Sequence, residues 1–287
     1  MALDTTLLRK KVERLEGLPT LPSVAGHLVS LTRSPRTSAT EVGDLISQDQ
    51  ALTARVLKLV NSAFYGFPKA ITTVNHAVVI LGFSRVKNIV LAASAFGLSR
   101  GGGASRLDLP RHWEHSLGAA VAARVTARTL HQGDPEDAFV CGLLHDIGKL
   151  VLAQLLPKEF DACVARAAAD GSLLYDAEKE VLGLAHPEVG RWLAERWKLP
   201  ANIQAAIRYH HTPGATRKDR EMVAAVHVGD ILARALLVGS GGDDSIPNMD
   251  LGVFQEMDLS KGRLDRLLGE TLAEIDRAAD FFELIEG

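Results

Sequence analysis

Residues 139–150 read Phe-Val-Cys-Gly-Leu-Leu-His-Asp-Ile-Gly-Lys-Leu, an apolar run that meets an adjacent imidazole and carboxylate, His145 and Asp146, with Lys149 three residues after the acid. Groups of this kind, carried on a segment bound for the core, lose hydration that something must replace. A divalent cation is one of the few partners that satisfies an imidazole and a carboxylate together. Short motifs also arise by chance. An Asp146 that caps a helix at the surface, beside a hydrogen-bonded core histidine, would be equally ordinary chemistry. The other titratable residues have to decide.

They recur downstream and upstream. His115 shares a helix face with Gly118, Ala119 and Ala122, small residues that let a second helix approach closely with or without a metal. His186 precedes Pro187, which disfavours helical geometry at the histidine and makes it an N-cap-like residue pointing into a cleft at a helix end. His210 and His211 close a helix stopped by Thr212-Pro213-Gly214, where a histidine pair can simply complement the helix dipole. Asp230 lies with Val226, Ala233 and Leu237 on an apolar face, read here as a buried carboxylate with no adjacent cation. Each residue has a plain structural explanation. One polynuclear metal site explains all of them at once, and mixed imidazole and carboxylate ligation suits iron, manganese or zinc.

The elements that must position these residues are all helical. Ser38-Ala39-Thr40-Glu41 is a capping box before Val42, Leu45 and Ile46. Asp49 caps a helix carrying Leu52, Val56, Leu59 and Val60, Val74 to Leu81 stops at Gly82, and Ser84 caps the run that follows. Asp134-Pro135-Glu136 is a helix start leading into the His145-Asp146 segment. Helices are expected from about Leu7 to Leu15, Arg111 to Leu130, Ala201 to His211, Glu221 to Val238 and, in a tail, Arg263 to Ile285. Leu18-Pro19-Thr20-Leu21-Pro22 reads as an extended linker. No stretch alternates like a strand, so the fold class is all-α.

Ser99-Arg100-Gly101-Gly102-Gly103-Ala104-Ser105 is the low-complexity break inside the chain. It divides an amino-terminal subdomain, residues 1–100, from a second one with its tail, residues 106–287. Charge changes sign across it: twelve Lys+Arg against six Asp+Glu before residue 106, twenty against twenty-nine after, within a total of −3. The basic half is scattered and not interleaved with aromatics, which argues against nucleic acid and for solvated helix faces. With 47% apolar and 23% charged residues the chain reads as a globular protein. Its apolar runs are interrupted by charge short of a membrane span and its start has no apolar signal core, so a cytoplasmic protein is expected. Cys141 and Cys163 make no framework and read as core thiols.

The order His115, His145-Asp146, His186, His210-His211, Asp230 resembles the HD superfamily of metal-dependent phosphohydrolases, in particular its HD-GYP cyclic-dinucleotide phosphodiesterases. The amino-terminal half resembles the HDOD family through Leu18-Pro19-Thr20-Leu21-Pro22, Ile46-Ser47-Gln48-Asp49, Leu57-Lys58-Leu59-Val60-Asn61-Ser62-Ala63-Phe64-Tyr65-Gly66 and Ala77-Val78-Val79-Ile80-Leu81-Gly82. That resemblance spans about residues 18–240. It implies an all-helical bacterial signalling protein with a protein partner, in a family many of whose members have lost HD ligands and act without catalysis. Here every HD-type position is present, which implies a metal site. His211 runs into Thr212-Pro213-Gly214-Ala215 where the enzymes carry Gly-Tyr-Pro, so the favoured expectation is a non-catalytic regulator whose basic half docks a partner. The alternative is a phosphohydrolase acting on a nucleotide or cyclic dinucleotide, with Asp146 bridging two metals and Lys149 offsetting phosphate charge.

Overall fold

The computed structural model of the chain describes residues 5–14, 16, 18, 23–31, 38–95 and 105–278, and every α or 3-10 element among them is a helix, with no strand. The chain divides into two compact units, residues 1–19 with 98–272 and residues 20–97 with 273–287. Helix α1 (Thr5–Arg14) belongs to the first, larger unit.

The smaller unit holds α2 (Ser23–Leu31), α3 (Ala39–Ser47), α4 (Gln50–Val60), α5 (Val74–Leu81) and α6 (Phe83–Ala95). Helices this short are marginal alone and persist because each buries one face. Val42, Ile46, Val56 and Val60 are fully buried, at the spacing the sequence predicts. Local chemistry fixes where they begin. Ser38 Oγ accepts from the Glu41 amide while Glu41 accepts from the Ser38 amide, and Asp49 accepts from the Leu52 amide at 3.0 Å. The expected cap at Ser84 is displaced: α6 starts at Phe83, two residues earlier than a Ser84 cap would place it, directly after Gly82 with its positive φ of 83°. In the loop after α4, the Asn61 side chain pairs with both the amide and the carbonyl of Ile71, at 2.7 and 2.8 Å.

The larger unit continues with α7 (Leu109–Leu130), α8 (Pro135–Leu144), α9 (Ile147–Leu155), α10 (Pro157–Asp170), α11 (Leu174–Leu182), α12 (His186–Arg196), α13 (Ala201–Tyr209), α14 (Arg220–Ala235), α15 (Leu251–Glu256) and α16 (Lys261–Arg277). Its centre is α7, with α8 and α14 laid on it. Two glycines permit that closeness: a Cβ on Gly142 of α8 would stand 2.7 Å from Ala120 Cα, and one on Gly229 of α14 would stand 2.7 Å from the Ala119 carbonyl. The small stripe read around His115 is thus the seam for both neighbours. Gly148 does the same for α9 and α12, where a Cβ would meet the His186 carbonyl at 2.0 Å.

Three expectations are corrected. The division at residues 1–100 places α1 in the wrong unit; Leu8 and Val12 are buried, α1 packs on α12, and Arg196 Nε donates to the Glu13 carbonyl at 2.7 Å. Second, His186 is the first helical residue of α12 and Ala185 holds the cap position, because Glu188 accepts the Ala185 amide. Third, the run Pro135–Leu155 is long and apolar enough to cross a membrane, although interruption by charge was expected. It is a core segment, with 89% of its apolar window buried in the protein. Of the Gly-rich linker only Ser105 is described, and it bonds Asp161 Oδ1 at 3.0 Å. The Pro19–Pro22 stretch and the tail after residue 278 lie outside the described residues.

Candidate metal centre

His145 and Asp146 sit where the helical run breaks between α8 and α9. Asp146 takes φ −97°, ψ 11°, the sparsely populated bridge region where many active-site residues are found. His145 Nδ1 lies 2.6 Å from the Gly142 carbonyl. A carbonyl only accepts, so Nδ1 carries a proton, and Nε2 faces Asp146 Oδ2 at 3.3 Å. His210, in the turn that ends α13, is fixed the same way by the Ala206 and Ile207 carbonyls, at 3.2 and 3.0 Å. At the start of α12, His186 gives Nδ1–H to Glu178 Oε2 at 2.7 Å, which leaves Nε2 3.0 Å from Asp146 Oδ1.

The remaining predicted residues arrive from distant parts of the chain. His115 Nε2 on α7 is 3.1 Å from Asp230 Oδ1 on α14 and 3.6 Å from Asp146 Oδ2. Asp230 Oδ1 is in turn 3.9 Å from His145 Nε2. His211 stacks on Tyr175, ring centroids 4.3 Å apart, and lies 5.2 Å from the His186 ring. His115, His145, Asp146, His186, His210 and Asp230 are all at most 2% exposed, whereas His211 is only partly buried. Six of the seven predicted donors fall into two overlapping groups, Asp146 with His186, His210 and His211, and Asp146 with His115 and His145, while Asp230 belongs to neither. Asp146 belongs to both.

Lys149 is fully buried on the first turn of α9, its Nζ 2.5 Å from Asp146 Oδ2 and 2.7 Å from the Gly241 carbonyl. Burial alone would push the Asp146 carboxyl up, but the His145 ring, the Lys149 ammonium and the His186 ring together hold it well below the usual carboxylate range. Burial pushes His115, His210 and His211 down, so these imidazoles are neutral. His186 differs: burial opposes its charge, yet the Glu178 and Asp146 carboxylates outweigh burial and raise it.

These residues fit a cation. His186 Nε2 and His210 Nε2 face each other at 3.3 Å with both Nδ1 atoms already committed to acceptors, so either a proton or a metal must separate two lone pairs. His145 Nε2 and Asp146 Oδ1 have no hydrogen-bond partner although both are buried. Imidazole nitrogens converging with an ionised carboxylate in a buried pocket are the kind of donor set that suits a transition metal.

One premise of the sequence reading is overturned. Asp230 does have an adjacent cation: Arg234, four residues on along α14, gives it Nε–H at 2.9 Å and spans to Asp243 Oδ1 at 2.8 Å and the Ser245 carbonyl at 2.9 Å. The i,i+4 spacing was legible. Glu178 was missed because an acid in a charged helix, Leu174–Leu182, carries no mark of burial, although it is 0% exposed. His227, three residues before Asp230 on α14, gives Nδ1–H to the His210 carbonyl at 2.7 Å and accepts the Asp250 amide at 3.0 Å, bracing the turn that carries His210.

The comparisons with known proteins agree with this architecture. The HDOD domain family matches residues 18–213. An uncharacterised protein of Treponema pallidum (strain Nichols) is 27% identical over 253 residues, 88% of this chain but 48% of that protein, so the chain spans about half the length of this curated relative. An HDOD domain protein of unknown function from Geobacter sulfurreducens superposes with a TM-score of 0.73 at 30% identity over 96% of both chains. A proposed phosphohydrolase of Shewanella amazonensis SB2B does so with a TM-score of 0.75 at 25% identity, over 98% of this chain and 99% of its own. A family match across most of the chain and an all-helical relative of the same length lead to one conclusion: the chain belongs to the HDOD domain family.

Proposed function

We propose that this HDOD protein is a non-catalytic regulatory module of a bacterial signalling pathway, acting in the cytoplasm. In it, His115, His145, Asp146, His186, His210, His211 and Asp230 hold one or two divalent transition-metal ions: iron, manganese or zinc. The observation that carries this reading is the closure of the donor set. Six of the seven donors are at most 2% exposed. A site built to turn over a phosphodiester needs an open coordination position for substrate; a structural or sensory ion does not. The absence of Gly-Tyr-Pro after His211 points the same way. The basic amino-terminal half then serves to dock a protein partner, with a nucleotide as a second candidate ligand.

Elemental analysis of protein purified without chelator tests the metal reading: at least one transition metal per chain is expected, lost in His145→Ala. Protein without metal would defeat it.

A second reading is favoured by one observation, the membership of Asp146 in both donor groups. A carboxylate shared in that way is what a two-metal phosphohydrolase uses, and a bound metal pair would activate a water and hold phosphoryl oxygens. Asp146 and Lys149 would then be its catalytic residues. Metallated protein incubated with cyclic dinucleotides and generic phosphodiesters separates the two readings. Product formation abolished by Asp146→Asn establishes the hydrolase, and inert metallated protein supports the regulator.

A further inference from the structure

The segment between α14 and α15, residues 236–250, has no regular structure, yet its first half is tied down at three points. Each tie ends on or beside a donor of the candidate metal centre. Lys149 Nζ holds the Gly241 carbonyl at 2.7 Å with the same ammonium that holds Asp146 Oδ2 at 2.5 Å. Arg234 holds Asp243 Oδ1 at 2.8 Å and the Ser245 carbonyl at 2.9 Å with the same guanidinium that holds Asp230 Oδ1 at 2.9 Å. Gly239, in the left-handed region at φ +62°, lies so close to α7 that a Cβ there would stand 2.2 Å from the His115 amide nitrogen. Further bonds continue the strap outward, from Asp243 Oδ2 to the Leu174 amide at 3.0 Å and from Ser245 Oγ to the Gly171 carbonyl at 3.1 Å.

We infer that residues 239–245 form a strap latched by Lys149 and Arg234, and that a metal ion at the Asp146 and Asp230 donors unlatches it. The inference rests on the metal reading proposed above. Its physical basis is competition for two atoms. The latch cations sit on Asp146 Oδ2 and Asp230 Oδ1, the carboxylate oxygens that also face the His115 and His145 nitrogens. A divalent ion taken up by those carboxylates and imidazoles repels a buried ammonium and guanidinium and removes the acceptor that fixes each. Each side chain has its other end on the strap, so displacement at the carboxylate is passed to Gly241, Asp243 and Ser245. No other part of the centre connects two donors to one surface segment in this way among the described residues. The strap ends at exposed apolar side chains, Leu237 and Ile246, 85% and 52% exposed, so its release changes a surface a partner can read.

Hydrogen–deuterium exchange of the full chain, with and without manganese(II), tests this, with metal content measured on the same samples. Amides of residues 239–245 are expected to exchange at least tenfold faster in the metal-loaded protein, while α7 and α8 are unchanged or slower. In Asp243→Asn, which loosens the Arg234 latch from the strap side without touching a donor, the metal-free strap should already exchange faster and the metal-dependent increase should shrink. Metal uptake with unchanged or slower strap exchange overturns the latch alone. No metal uptake overturns the metal reading and the latch together.

Discussion

Glu178 Oε2 accepts two hydrogen bonds from one residue, the backbone amide and the ring Nδ1–H of His186, each at 2.7 Å. A single buried carboxylate oxygen thereby sets both the start of α12 and the direction of the His186 ring, and the outcome is Nε2 aimed at Asp146. Removing such a partner from a metal-ligating histidine typically costs about 10- to 100-fold in affinity. Glu178→Ala is therefore expected to weaken metal binding by about that factor, with Glu178→Gln intermediate because it keeps an acceptor. Chelator competition measures it; equal affinity in all three proteins would show that Glu178 does not orient the ring.

Asp146→Asn leaves the fully buried Lys149 ammonium without its anion. Breaking a buried pair from one side costs about 3–5 kcal/mol. Denaturant unfolding of the metal-free variant should show a loss of that order, and Asp146→Asn with Lys149→Met together should recover part of it. A double variant no more stable than the single one would mean that the ammonium finds another acceptor.

Asp230→Asn is expected to destabilise the protein by about 1–3 kcal/mol, less than Asp146→Asn, because Arg234 keeps Asp243 and the Ser245 carbonyl. Thermal or denaturant unfolding decides this. Unchanged or improved stability would favour a metal-free scaffold in which the Asp230–Arg234 pair adds no net stability.

The histidines predict how the metal-free protein responds to acid. Burial holds His112 down at about 3 and pushes His115, His210, His211 and His227 down as well. Unfolded, these rings take protons near 6.5. The unfolded state therefore binds more protons below that value, and stability must fall as pH drops from about 6.5 towards 3. His186, raised by its carboxylates, works in the opposite sense but is one ring against five. Metal should counter the loss, and its own affinity should fall over the same range because the same nitrogens are needed unprotonated. Denaturation midpoints at several pH values with and without manganese(II) check both; an apo protein equally stable at pH 5 and pH 7.5 would contradict the burial of these rings.

The helices were legible because their determinants are local. Ser38 with Glu41, Asp49 with Leu52, and Asp134 with the amides of Glu136 and Asp137 are contacts within three residues, and the apolar period repeats within seven. The residue types of the candidate centre were legible too, since histidines on apolar faces stand out against the chain. What misled was neighbourhood. Arg234 was overlooked as the partner of Asp230, and α1 was assigned by chain order to a unit it does not join.

The amino-acid sequence alone thus determined an all-helical chain of the HDOD kind and the roll of histidines and aspartates that could act together. Only the tertiary structure decided that His115 and Asp230 meet at 3.1 Å, that Lys149 and Arg234 neutralise the two acids, and that Glu178 aims His186. The reason is range. A cap or an apolar stripe is settled by bonds inside one helix, whereas the meeting of side chains from α7, α8, α12, α13 and α14 depends on glycines letting backbones approach, and on which faces lose water together.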